Sequence, residues 1–223
     1  MAGGVGSLPV MRYSRALCSV RDFLTLRSQL SRRSSFSEPA WRSYSRLRHA
    51  RADKDKLCWL LDSASLTQRL IQACSGHFHV ELLDLGWATP LPSEVRVLRM
   101  HHGRRALIRQ VLLCCDEQPW VFARTVIPYS SLHGRARRLA YLGEKPLGAV
   151  LFADPCMRRG VLQISELSSE HPMFAQATGR LKRKPKRIWG RRSVFYLGDK
   201  PLLVNEIFLP GIKSCKSLYN KEP

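Results

Sequence analysis

Residues 107–128 read Leu-Ile-Arg-Gln-Val-Leu-Leu-Cys-Cys, Asp-Glu-Gln-Pro, Trp-Val-Phe-Ala-Arg-Thr-Val-Ile-Pro. Two apolar, β-branched runs, Arg105 to Cys115 and Trp120 to Pro128, flank the turn Asp116-Glu117-Gln118-Pro119, which is the pattern of a β-hairpin. A second hairpin repeats it near the end of the chain, where Ser193–Leu197 and Leu202–Leu209 flank Gly198-Asp199-Lys200-Pro201. Strands that cluster around short turns, rather than alternating with helices, predict an antiparallel α+β domain and not a doubly wound sheet.

Outward from the hairpins the pattern becomes helical. Asp55 to Cys74 reads as a helix in two pieces: Leu57, Leu60 and Leu61 form one apolar stripe, and Asp62-Ser63-Ala64-Ser65 interrupts it. Ser65-Leu66-Thr67-Gln68 has capping-box form, so the second piece starts at Leu66, with Gly76 placed to close it. Val80–Leu85 is a short strand, and Thr89-Pro90-Leu91-Pro92 breaks regular structure. Between the hairpins the sequence predicts a helix from Leu132 to Leu142 ended by Gly143, and another beginning at Pro146-Leu147.

Strand parity then singles out charges. Side chains two apart share a face, so Glu206 lies among Leu202, Val204 and Phe208, and Arg109 among Leu107, Val111 and Leu113. Arg124 sits in the same way between Phe122 and Val126. A charge among aliphatics needs a partner or a ligand. One reading pairs Arg109 or Arg124 with Glu206, or buries the opposite sheet face. The other is an enclosed pocket in which an arginine clamps a ligand carboxylate and Glu206 meets a hydroxyl or a proton. The helix starts at Leu66 and Leu147 offer free N–H groups to an anion.

Composition bounds the rest. The chain has 223 residues, 44% hydrophobic and 24% charged, which is globular rather than disordered. No apolar run reaches the ~18 residues of a membrane span. Thirty-seven basic against seventeen acidic side chains give a net charge of +20. Much of that excess lies in residues 1–52, which hold ten Arg and two acids, and in the 180–192 cluster, of which 180–187, containing Pro185, reads as a surface loop. Such blocks do not argue for a nucleic-acid surface. Seven cysteines without CxxC spacing predict reduced thiols, with Cys114 and Cys115 on opposite faces. His133 and His171 read as surface residues. No metal site, phosphate loop, nucleophile elbow or dinucleotide fingerprint is present.

Several segments together resemble the bacterial chorismate pyruvate-lyase family: Leu107–Cys114, Pro119–Pro128, Gly143–Gly148, Trp189-Gly-Arg-Arg-Ser193 and Lys200–Pro210, with Leu60-Leu61-Asp62 to Arg69 fitting as well. The resemblance spans roughly residues 40–212. It implies a single domain, residues 38–215, with an antiparallel sheet, flanking helices and an enclosed site. The activity implied is a cofactor-free lyase that converts chorismate to 4-hydroxybenzoate and pyruvate for ubiquinone synthesis. By resemblance Arg109 binds the ring carboxylate, Glu206 meets the 4-oxygen, and Leu147 and Leu66 contribute backbone amides. Ser168 to Lys186 looks like an insertion.

The remaining expectations are a monomer in the cytoplasm, with no nucleic-acid partner and no stable membrane insertion. Residues 1–37, Ser/Arg-rich, and residues 216–223 are appendages; if the former is a transit peptide, the compartment is mitochondrial. The competing reading is a non-catalytic, sensor-like domain of the same fold that binds a small carboxylate. Residues 1–52 lack the apolar periodicity of the helix-turn-helix that accompanies such sensors.

Overall fold

Strands β1 (Arg42–Ser43), β2 (Phe78–Ala88), β3 (Ala106–Cys115), β4 (Gln118–Pro128), β5 (Met157–Arg159), β6 (Gln163–Ser168), β7 (Arg187–Leu197) and β8 (Lys200–Phe208) form one antiparallel sheet. The order is β1-β6-β7-β8-β4-β3-β2, with β5 pairing β7 beyond β6. This is a computed structural model, and it describes Glu38, residues 40–43 and residues 54–214. The appendages 1–37 and 216–223 lie outside the described residues. Both expected hairpins are present, as β3–β4 and β7–β8. The α+β antiparallel class holds.

Both faces of the sheet are covered. All ten residues of β3 are buried, which is why its sequence reads as a continuous apolar run rather than an alternating one. On one face lie α1 (Lys54–Leu60), α2 (Leu66–Ala73), a 3-10 helix at Gly134–Tyr141 and α4 (Leu147–Phe152). On the other lie α3 (Pro92–Val97), whose C-terminal Leu98 packs on the sheet, and α5 (Pro172–Thr178). Among the described residues, no helix is long and apolar enough to cross a membrane.

Several local expectations are corrected. The segment expected as a helix at 132–142 is 3-10, α2 stops at Ala73 and is capped by Cys74 without use of Gly76, and Pro92 opens α3 instead of only breaking structure. The 168–186 segment is not a bare insertion, because α5 buries Met173, Phe174 and Ala177 under the sheet. Residues 180–186 do form an exposed loop, but 187–192 belong to β7, and Arg191 and Arg192 are buried. Histidine 171 is buried as well. Reduced thiols were expected throughout, yet Cys74 and Cys115 form a disulfide, and Cys58 is also disulfide-bonded. The two apolar runs that bring Cys74 and Cys115 together are remote in sequence, so spacing could not reveal the pair. Buried Cys114 is free and faces the other side of the sheet, as parity requires.

Candidate active site

Two apolar clusters occupy the face carrying α1, α2 and α4. One joins α1 and α2 to Val80, Val111, Leu113 and Ala123; the other joins α4 and the 3-10 helix to Leu107, Val204 and Phe195. Between them is a cavity whose polar lining includes Arg109, Thr125, Thr67 and Glu206. The strand register explains the convergence. Arg109 pairs with Thr125 across β3–β4, Thr125 with Val204 across β4–β8, and Glu206 lies two residues further along. Two strand spacings and two residues of rise put the Arg109 and Glu206 Cα atoms about 12 Å apart. The two side chains therefore enter one cavity from opposite ends.

Arg109 is 3% exposed. Its Nε and Nη2 donate to the Gly143 carbonyl at 3.1 and 2.8 Å, and Nη2 also donates to the Lys145 carbonyl at 2.9 Å. Gly143 adopts φ +51, a left-handed conformation suited to glycine, at the turn that presents these carbonyls. No carboxylate of the described residues pairs with Arg109, and burial alone lowers its pKa to about 10. The cation is held by dipoles, not by an opposite charge.

The same turn leads through Pro146 into α4, so Leu147, at its first turn, lines the same cavity as Arg109. Leu66 opens α2 in the corresponding way, with Ser65 as N-cap accepting from the Gln68 N–H at 3.5 Å. The two helix starts meet at Gly148, where a Cβ would lie 3.1 Å from Thr67 Oγ1. Leu66, Leu147 and Arg109 all line the cavity. Three arginines brace the loop that leads into α2. Asp62 accepts from Arg69 Nη1 at 2.5 Å and from the Ala64 N–H at 2.8 Å, while its carbonyl accepts from Arg191 and Arg159. Burial raises the Asp62 pKa, but the Ala64 amide and the Arg69 charge outweigh it and hold it below the usual carboxylate value.

Glu206 pairs with neither arginine expected for it. Its partner is Arg191, opposite it in the β7–β8 register, whose Nε donates to Glu206 Oε2 at 2.6 Å. Arg191 Nη1 also donates to the Trp59 and Asp62 carbonyls at 2.7 and 2.6 Å, tying β7 to the end of α1. Among the described residues nothing hydrogen-bonds Oε1. Arg124 points to the opposite sheet face and pairs there with Glu94 at 2.9 and 3.1 Å. Of the nominated residues, Arg109, Glu206, Leu66 and Leu147 come together and Arg124 does not. Arg191 and Arg159 carry no strand-parity signal of their own in the sequence; the Trp189–Ser193 motif holds Arg191, but it adjoins the basic 180–192 cluster.

Residues 36–218 match the family model described as chorismate lyase. The probable chorismate pyruvate-lyase of Nitrosomonas europaea is 41% identical over 155 residues, 70% of this chain and 86% of that protein. Its namesake in Methylococcus capsulatus is 41% identical over 156 residues, 70% of this chain and 95% of that protein. Among solved structures, the effector domain of PhnF from Mycobacterium smegmatis superposes with a TM-score of 0.45 at 17% identity, over 60% of this chain and 82% of that one.

Proposed function

The chain belongs to the chorismate lyase family, and from that premise we propose that its cavity converts chorismate to 4-hydroxybenzoate and pyruvate, the entry to ubiquinone synthesis. Residues 38–215 form the catalytic domain in this reading, and it uses no cofactor. The observation that carries it is Arg109: a buried guanidinium on a cavity wall, compensated among the described residues only by carbonyl dipoles, with a carboxylate at the far end of the cavity.

Such a cation calls for an anionic ligand group, because desolvating it unpaired is costly. Arg109 clamps the ring carboxylate, and the Leu147 and Leu66 amides donate to the same group from their helix starts. That pose sends the para position of the ring towards Glu206, whose Oε1 accepts from the 4-hydroxyl. In the reaction the ring C3–O bond breaks, C4 loses a proton and the enol methylene gains one. Aromatisation of the ring drives the step. The protein's work is to hold the pose and to keep positive potential where the departing oxygen gains charge. Arg191, fixed 2.6 Å from Glu206, supplies part of that potential.

The test is to incubate the full chain with chorismate and EDTA and follow 4-hydroxybenzoate and pyruvate by chromatography. Turnover well above the spontaneous rate is expected. Arg109→Gln should lower kcat/KM on the order of 100-fold or more, the equivalent of about 3 kcal/mol for a lost charge-assisted clamp. Unchanged turnover in the folded variant would remove Arg109 from the site. Background conversion by the wild-type chain, with 4-hydroxybenzoate still bound, would make it a sensor-like binding domain.

A further inference from the structure

We propose that Arg159 binds the second carboxylate of the substrate, the one carried on the enolpyruvyl ether. The inference rests on the reading of the cavity as a chorismate site. It begins from charge: the substrate is a dicarboxylate, and Arg109 with its two neighbouring amides accounts for one carboxylate only. On the ring the ether carbon adjoins the carbon bearing the 4-hydroxyl. With that hydroxyl on Glu206, the second carboxylate falls at the Glu206 end of the cavity.

Two guanidinium groups lie next to that end, Arg191 against Glu206 and Arg159 against Phe195. Arg191 is committed, with Nε on Glu206 and Nη1 on two carbonyls. Arg159 is different. Its Nε donates to Ser193 Oγ at 3.1 Å, and its Nη1 donates to the Ser63 carbonyl at 2.9 Å and the Asp62 carbonyl at 3.5 Å. No acid of the described residues forms an ion pair with it, and Nη2 donates to none of them. The side chain is half-buried, and burial, followed by the nearby Arg191 charge, lowers its pKa against the opposing pull of Glu206 and Asp62.

The register puts this cation against a residue of the cavity lining rather than in the lining itself. Arg159 pairs with Phe195 across β5–β7, and its guanidinium lies 5.2 Å from the centre of the Phe195 ring, which lines the cavity. From there it reaches back along β7 towards Ser193, one side chain on the same face from Arg191. A fork held by neutral acceptors on two of its nitrogens, with the third unused, is preorganised for a carboxylate.

The product provides the discriminating experiment, because 4-hydroxybenzoate lacks the second carboxylate. Arg159→Gln and Arg159→Lys are compared with the wild-type chain for chorismate turnover, and for 4-hydroxybenzoate affinity by calorimetry. The expected result is a 30–100-fold (~2–3 kcal/mol) fall in kcat/KM for Arg159→Gln, carried mainly by KM. Partial recovery is expected in Arg159→Lys, with 4-hydroxybenzoate affinity within about threefold of wild type in both. Retained product binding also shows that the variants are folded. A kcat/KM within threefold of wild type would overturn the proposal. So would a parallel loss of product affinity, since Arg159 would then only prop the Asp62–Ser65 loop ahead of Leu66. A wild-type chain that leaves chorismate unconverted would instead overturn the functional reading, and this subsite with it.

Discussion

Glu94→Gln tests the ion network on the sheet face turned away from the cavity. Glu94 is fully buried and accepts from Arg124 Nε and Nη2 at 2.9 and 3.1 Å, from the Asn205 side-chain amide at 3.0 Å and from the Leu91 N–H at 2.9 Å. The substitution preserves shape but removes the charge, leaving Arg124 a buried cation whose opposite charge is gone. Breaking such a pair costs roughly 3–5 kcal/mol. The glutamine oxygen still accepts one bond, so the lower end, about 3 kcal/mol, applies. For a chain of this size that is a fall of about 6–12 °C in Tm. Urea unfolding with an unchanged m-value would report it directly. Replacing both partners with apolar side chains, Glu94→Leu with Arg124→Met, should recover much of the loss, giving a coupling energy of ~2 kcal/mol. A cost below about 1 kcal/mol for Glu94→Gln would refute the idea that this pair is energetically isolated from water. Because the network lies opposite the cavity, chorismate turnover at a temperature where the variant is folded should stay within twofold of wild type. A larger loss would show that the two faces are coupled.

Two further outcomes concern stability. His171 is held neutral, its pKa lowered to about 4 chiefly by burial, with the Arg124 and Arg192 charges adding to this and Glu94 opposing it, while its Nδ1 accepts the Met173 N–H that starts α5. The unfolded imidazole titrates near 6.5, so the contribution is whole above that pH and is lost as pH falls towards 4. Wild type should therefore lose about 2 kcal/mol more over that window than His171→Asn, and parallel stability curves would contradict it. The Cys74–Cys115 disulfide spans 41 residues, a loop worth about 4 kcal/mol in unfolded-state entropy. Cys74→Ala/Cys115→Ala should lower the urea midpoint accordingly, and an unchanged midpoint would mean that the bond does not contribute to stability.

Much of the site was legible because the relevant signals are local. A strand's side chains alternate, so Arg109 and Glu206 could be nominated as charges on apolar faces without knowing what those strands touch. Helix starts likewise announce themselves over four residues, as Ser65 to Gln68 did for Leu66. Where local signals compete, the reading failed. The run from Arg180 to Arg192 looks like one solvated block, yet its first half is exposed and its end enters β7, where Arg191 and Arg192 are buried. Pro92 looks like a breaker and is a helix start. The segment from Gly134 to Tyr141 has helical spacing but closes as 3-10.

The sequence by itself determined the two hairpins, the face each strand residue occupies and the residues that had to find a partner. Only the tertiary structure decided who those partners are. Glu206 is matched to Arg191 by β7–β8 register, Arg124 to Glu94 through a helix on the far face, and Arg109 to the carbonyls of a turn 34 residues away. Burial of a charge follows from a local period of two residues. Its compensation depends on which remote strand or turn lies alongside, and that is set by how the whole sheet and its two helical layers pack.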